Sequence, residues 1–262
     1  MKFGRTEVYG FEKALIGMRN PKNSWGKNDT KEYICYGVLE NPKNYKAFKN
    51  EKHNFCRYIE NDALCVAIGE NDMKLAQALI KAGSEHRKFM RQIFVSVDIT
   101  APLYWWKEFD TYKVGTVANS TSTMHKITSQ PITLECFEIK DYDNSLITTL
   151  EDGDCKFTFS SSDEPLAIVD WLESLRQKYL ETKDKRYWKE LIRWLPESWL
   201  QKRTVTMTYE NLLAMCSRGQ RRFHKLNEWS GQDNPNVPNF ISWARTLPYA
   251  QELIFIDELE TK

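Results

Sequence analysis

Residues Gly83 to His125 read GSEHRKFMRQIFVSVDITAPLYWWKEFDTYKVGTVANSTSTMH. A turn comes first, and then Gln92 to Ile99 alternates Ile93, Val95, Val97 and Ile99 with Gln92, Phe94, Ser96 and Asp98, the pattern of a half-buried strand. Pro102 stands where a helix would take its first residue, because its missing N–H is not needed there. The helix it opens is expected over Leu103 to Lys113, with Leu103, Tyr104, Trp106 and Phe109 along one buried side. Trp105 falls off that side and is the candidate for an exposed, ring-stacking aromatic. A hydroxyl-rich loop, Val114 to Thr123, closes the stretch.

Working outward toward the N-terminus, Asp72 can cap a helix over Met73 to Ala82, whose Leu75, Ala76, Leu79 and Ile80 share a face and whose stop is Gly83. A strand is expected at Lys2 to Tyr9 and a short helix at Phe11 to Met18. Asn20 to Lys52 is polar and reads as a long loop with an apolar insert at Tyr33 to Leu39. Asn61 to Gly69 is a helix or a strand; its periodicity does not decide.

Toward the C-terminus, Pro131 to Lys140 alternates as a strand would, and the acidic segment from Asp141 to Asp163 reads as an exposed loop or insertion. Its Glu151, Asp152 and Asp154 lack the ligand spacing of a calcium loop. Helical patterns follow at Leu166 to Leu180, capped by Asp163, at Lys185 to Trp194 and at Val205 to Cys216. A basic segment (Arg218, Arg221, Arg222, His224, Lys225), a Gly/Asn/Pro loop over Gly231 to Asn239 and a last helix to Ile256 complete the chain.

The 262 residues, 41% hydrophobic and 13% aromatic, suffice for one large core. With 37 basic against 36 acidic side chains there is no global field to draw the molecule onto nucleic acid or membrane, so any anion site is local. No run reaches the roughly 18 apolar residues of a membrane span. The six cysteines form no CxxC pair and the four histidines show no ligand spacing to them, so neither a zinc site nor a disulfide framework is indicated, and a reduced, cytoplasmic setting is expected.

The chemistry that stands out is basic and hydroxyl-rich. Lys113, Thr116, Ser120, Thr121 and Ser122 follow the aromatic helix, and Arg218, Arg221 and Arg222 lie further on. Hydroxyls and arginines of this kind build phosphate sites, and they equally make a polar loop and a solvated helix end. No glycine-rich phosphate loop or dinucleotide fingerprint is present. Cys216 has basic neighbours but shares an apolar face with Leu212 and Met215, which reads as core rather than nucleophile.

The order of turn histidine, strand, Ala-Pro and aromatic helix resembles that of the flavin-dependent thymidylate synthases, whose signature continues Arg-His-Arg, seven residues, Ser. The corresponding run is Thr111-Tyr112-Lys113, seven residues, Thr121. By this resemblance His86 takes the place of the histidine near the flavin, Lys113 the third basic position and Thr116 a hydroxyl within the motif. Thr111 and Tyr112 replace Arg and His, Asn119 stands for a glutamate, and Thr123 for an arginine that reads the nucleotide. A guanidinium grips phosphate or a flavin carbonyl through a fork that threonine cannot imitate. Further on, Arg193 in RWLP, Thr208 and Glu210 in TMTYENLLAM, and His224 and Glu228 in RRFHKLNEW resemble later family motifs, with one of Arg218, Arg221 or Arg222 as the motif arginine.

The resemblance implies a single-domain α+β fold with a small antiparallel sheet flanked by helices, assembled as a homotetramer. It implies FAD near His86, Tyr112, Lys113, Thr116, Thr208 and His224. It implies a pyrimidine nucleotide of the dUMP kind near Asn119, Ser120, Thr121, Arg193, Arg218, Arg221 and Arg222. The activity it implies is reductive one-carbon transfer to C5 of the base, with NADPH and methylenetetrahydrofolate where turnover is retained. The replaced triplet implies a changed substrate or cofactor, or a non-catalytic binding or assembly protein that keeps the fold without the flavin.

Overall fold

The computed structural model describes residues 1–35, 56–59, 62–112, 114–139, 145–153, 155–160, 163–232 and 236–261. Most of the insert at Tyr33 to Leu39, Lys113 and the stretch from Asp141 to Asn144 lie outside them. The chain divides into two compact units, one of residues 1–99, 111–118 and 204–262, the other of residues 100–110 and 119–203.

In the first unit β1 (Lys2–Tyr9) turns into α1 (Phe11–Gly17). Gly10 makes that turn with φ +96, and a Cβ there would meet the Gln92 carbonyl oxygen at 2.2 Å, so only glycine fits. β2 (Lys31–Cys35), β3 (Cys56–Ile59) and β4 (Asp62–Ala67) form an antiparallel sheet in the order β2-β4-β3, which settles the ambiguous NDALCVAIG segment as strand.

The helix α2 (Glu70–Lys81) begins before Asp72. Its first free N–H groups are taken by Asp29, which accepts from Asn71 N at 2.8 Å and from Asp72 N at 3.0 Å. Asp72 is thereby released from capping and lies buried, where it accepts from Arg19 Nε at 2.6 Å, Asn28 Nδ2 at 2.9 Å and both the N–H (2.9 Å) and hydroxyl (2.6 Å) of Thr30. At this depth the Arg19 guanidinium and these hydrogen bonds compensate the carboxylate for the water it has lost.

A tight turn over Lys88–Gln92 delays β5, which spans Phe94–Pro102. Val95, Val97 and Ile99 are buried as the alternation requires. Asp98 is buried too, because Arg5 Nε donates to it at 2.6 Å and Thr204 Oγ1 at 2.6 Å. Pro102 is the residue before α3 (Leu103–Phe109), not its first, and the helix ends at Phe109, short of Lys113. Trp105 is fully buried, stacked on Phe109 at 5.1 Å, so both tryptophans of the pair serve the core and the expected exposed aromatic is absent at this position.

The hydroxyl-rich segment contains β6 (Val117–Ser120), followed by α4 (Thr123–Lys126). Pro131 to Ile139 is not a strand; Leu134–Cys136 is a single turn. Ile132 and Phe137 nevertheless join the core of the second unit with Val169, Leu172 and Leu191, and Leu134, Cys136 and Ile139 pack against it, so the apolar residues of the segment serve packing without a strand. The acidic segment folds as a hairpin, β7 (Ile147–Asp152) and β8 (Cys155–Ser160), closed at Gly153 with φ +59. Next come α5 (Asp163–Thr182) and α6 (Lys185–Arg193).

β9 (Leu200–Thr208) and α7 (Tyr209–Cys216) divide what read as one helix. Val205 and Met207 bury one strand face while Leu212, Leu213 and Met215 bury a helix face, and joined end to end the two patterns mimic a single helical period. Short helices α8 (Arg218–Arg221), α9 (Asn227–Ser230), α10 (Phe240–Ala244) and α11 (Ala250–Leu253) finish the first unit. The expected last helix is broken between α10 and α11, where Tyr249 takes φ +52 after Pro248. The principal sheet is small and antiparallel, in the order β1-β5-β9-β6. Among the described residues no helix is long and apolar enough to cross a membrane.

Candidate functional site

Among the described residues of the first unit, two clefts stand out. The larger, about 490 Å³, has an apolar floor of Met18, Leu75, Leu79 and Phe89 and a polar rim that includes Lys22, His86 and Lys88. His86 is exposed in the turn after α2, its backbone N–H on the Gly83 carbonyl at 3.0 Å. Lys88 is 3.6 Å from Glu85, which leaves Lys22 and His86 as the rim groups most open to a ligand. The wall containing Lys22 belongs to the 19–30 segment, which the buried Asp72 holds through Arg19, Asn28 and Thr30. An apolar floor with a few convergent polar groups is the usual form of a small-molecule site.

Tyr112, Thr116 and His224 come together elsewhere in the same unit. The Tyr112 hydroxyl accepts from Gln220 Nε2 at 2.8 Å, and its ring lies 6.3 Å from His224 and 5.9 Å from Trp229. Thr116 Oγ1 donates to the Tyr112 carbonyl at 3.0 Å. His224 is buried, stacked on Trp229 at 4.3 Å, and its Nε2 is 3.0 Å from the Met215 carbonyl. A carbonyl can only accept, so Nε2 carries the proton. This is the environment of a packed, satisfied histidine.

Thr208 is the N-cap of α7, in a reciprocal box with Asn211: Asn211 N donates to Thr208 Oγ1 at 3.3 Å and Thr208 N to Asn211 Oδ1 at 3.0 Å. Asn211 also donates from Nδ2 to the Val114 carbonyl at 2.5 Å and lies against Gly115, whose φ is +79. It therefore ties the loop after Tyr112 to the start of α7. Nothing in the pattern of the sequence marks Asn211 for this, since the tie spans 97 residues.

The basic segment disperses. Arg221 pairs with Glu258 at 2.5 Å, Arg222 covers the Phe223 ring at 4.7 Å, and Arg218 is exposed. Glu258 also accepts a fork from Arg245 (2.7 and 3.0 Å), and the Arg245 hydrogen bonds, with those of Arg221, outweigh burial and hold its carboxyl at about 2. Cys216 is fully buried, and burial raises its thiol pKa, the setting of a core thiol. Asn119, Ser120, Thr121 and Arg193 belong to the second unit: the first three are exposed on and after β6, and Arg193 pairs with Glu190. Lys113 lies outside the described residues. Among the described residues no group of three or more His, Cys, Asp or Glu side chains could hold a metal ion.

Glu210 accepts from Arg87 Nε at 3.1 Å and from Arg91. Burial pushes its carboxyl up and the two arginines more than reverse that, so it stays below its ordinary value. Neither arginine stands out in the sequence, because their partner is more than a hundred residues away.

An α+β chain with this sheet and these flanking helices has the fold of the flavin-dependent thymidylate synthases. It is similar to the enzyme of Helicobacter pylori solved with FAD and dUMP: one structure matches with a TM-score of 0.57 at 13% identity, covering 98% of this chain and 99% of that one. A second structure of that enzyme with FAD and dUMP matches with a TM-score of 0.58 at 12% identity, covering 99% and 100%. No protein-family model matches the sequence, and no curated protein matches it.

Proposed function

We propose that the protein binds a pyrimidine nucleotide of the dUMP kind together with FAD, and that the cleft beside His86 receives the flavin ring. The observation that carries this reading is the position of the cleft: His86, the residue matched to the family's flavin-side histidine, lines an apolar-floored opening of about 490 Å³. The residues fit such a group, with Leu75, Leu79 and Phe89 available to its ring and Lys22 and His86 to its polar atoms. Bound there, a flavin would supply hydride chemistry for reductive one-carbon transfer at C5, with NADPH and methylenetetrahydrofolate as the accompanying reagents. The chain's own contribution is to hold and orient, through a wall kept rigid by Asp72. A homotetramer belongs to the same reading.

Thermal shift tests it: FAD and dUMP should each raise the melting temperature of the purified protein, and His86→Ala should weaken the FAD response. A protein indifferent to FAD, FMN and dUMP contradicts it.

A second reading, a non-catalytic assembly protein that keeps the fold without the flavin, is favoured by the occupations of three signature positions. Tyr112 is bonded to Gln220, Thr208 caps a helix, and Glu210 holds two arginines. Under it the protein is an oligomer that no flavin stabilises.

A further inference from the structure

The turn over residues 84–88 lends neighbouring residues to two clefts. His86 and Lys88 line the first, and Arg87 lines a second of about 380 Å³ in the same unit. The second cleft has an aliphatic wall of Ile80, Leu213, Ala214 and Ile256, with Lys81, Ser217 and Asp257 as its other polar residues.

Arg87 is built to present one edge of its guanidinium. Its Nε donates to Glu210 at 3.1 Å, and among the described residues its two terminal nitrogens make no hydrogen bond. About a quarter of the side chain (24%) is open to solvent, and the residue lines the cleft. Glu210 is shared with Arg91, so two guanidiniums face one carboxylate and a positive charge is left over. The Asp257 carboxylate in the lining offsets part of this charge, its Oδ2 accepting the backbone N–H of Arg218 and its Oδ1 buried without a hydrogen-bond partner among the described residues, while Lys81 adds a second cation to the same lining. A guanidinium fixed on one edge and open on the other is the donor geometry that a two-oxygen anion accepts.

We propose that this cleft binds the oxyanion of a small molecule, a phosphate monoester or a carboxylate, on the open edge of Arg87. Lys81 and the Ser217 hydroxyl complete the anion's contacts, and the aliphatic wall takes the apolar body. The site is separate from the cleft beside His86 and does not depend on the nucleotide reading.

Calorimetric titration of the full chain with inorganic phosphate and with butyrate, at constant ionic strength with chloride as the control, tests this. Saturable binding of at least one is expected, and which of the two binds tells phosphate from carboxylate. Arg87→Gln should weaken it about tenfold or more, and Arg87→Lys should recover only part, because an ammonium offers no fork. Lys81→Ala, at an exposed helix end, should weaken binding less while leaving the fold intact. The proposal is overturned if neither anion binds saturably, or if the folded Arg87 and Lys81 variants bind as the unsubstituted chain does.

Discussion

Arg87 donates its Nε hydrogen to Glu210 at 3.1 Å, across 123 residues of sequence. Glu210 stands where the family resemblance leads one to expect an arginine, and here it organises two arginines instead. A position that would have supplied positive charge now orients positive charge supplied from the turn after α2.

Glu210→Gln should therefore lower stability by about 1.5–3 kcal/mol, the range for hydrogen bonds to charged groups. Its carboxyl is held below the ordinary value in the folded state, so its contribution is present above the unfolded pKa and lost as pH falls through the folded one. Urea unfolding at neutral pH checks the magnitude; a loss under a few tenths of a kcal/mol would show that the arginines do not depend on it.

Besides Glu210, two carboxylates held at about 2 should contribute most to acid sensitivity. Arg176 holds Glu173 at about 2 through its side-chain hydrogen bond, against burial, and Arg245 and Arg221 do the same for Glu258. Both groups are depressed from a starting value of 4.5, so their stabilisation is complete above that pH and is lost progressively toward pH 2. Unfolding free energies measured between pH 5 and pH 3 should fall, and Glu173→Gln or Glu258→Gln should flatten that slope.

Asp72→Ala should be among the most damaging single changes outside the apolar core. It strands the buried Arg19 guanidinium and unties the 19–30 segment, and breaking a buried pair in this way costs about 3–5 kcal/mol. The denaturant midpoint should drop steeply, and any ligand of the cleft beside His86 should bind more weakly in the fraction that remains folded.

Thr208→Ala should cost about 1 kcal/mol, the usual loss of an N-cap, whereas Thr208→Ser should cost little. Equal stability for all three chains in urea would mean that Asn211 alone anchors the start of α7.

The scaffold was legible where local pattern and final burial coincide. Val95, Val97 and Ile99 alternate because they pack inward, and the helix face of Ala76 and Ile80 follows the same logic. Legibility failed where two patterns abut, as at Val205 to Cys216, where a strand and a helix merge into one apparent period. It failed again where carboxylates masked a hairpin at Ile147–Ser160. Of the candidate site, His86 was visible through the resemblance. Arg87 and Asn211 were not, and Asp72 and Glu210 stood out only for other roles, because each acts through a partner distant in sequence, and no local period encodes such a pairing.

The absorption spectrum of the untreated, purified protein tests the central claim most directly. A flavin band that weakens in His86→Ala is the predicted result. A colourless protein that acquires no band on incubation with FAD, and whose melting temperature dUMP leaves unchanged, would contradict the account.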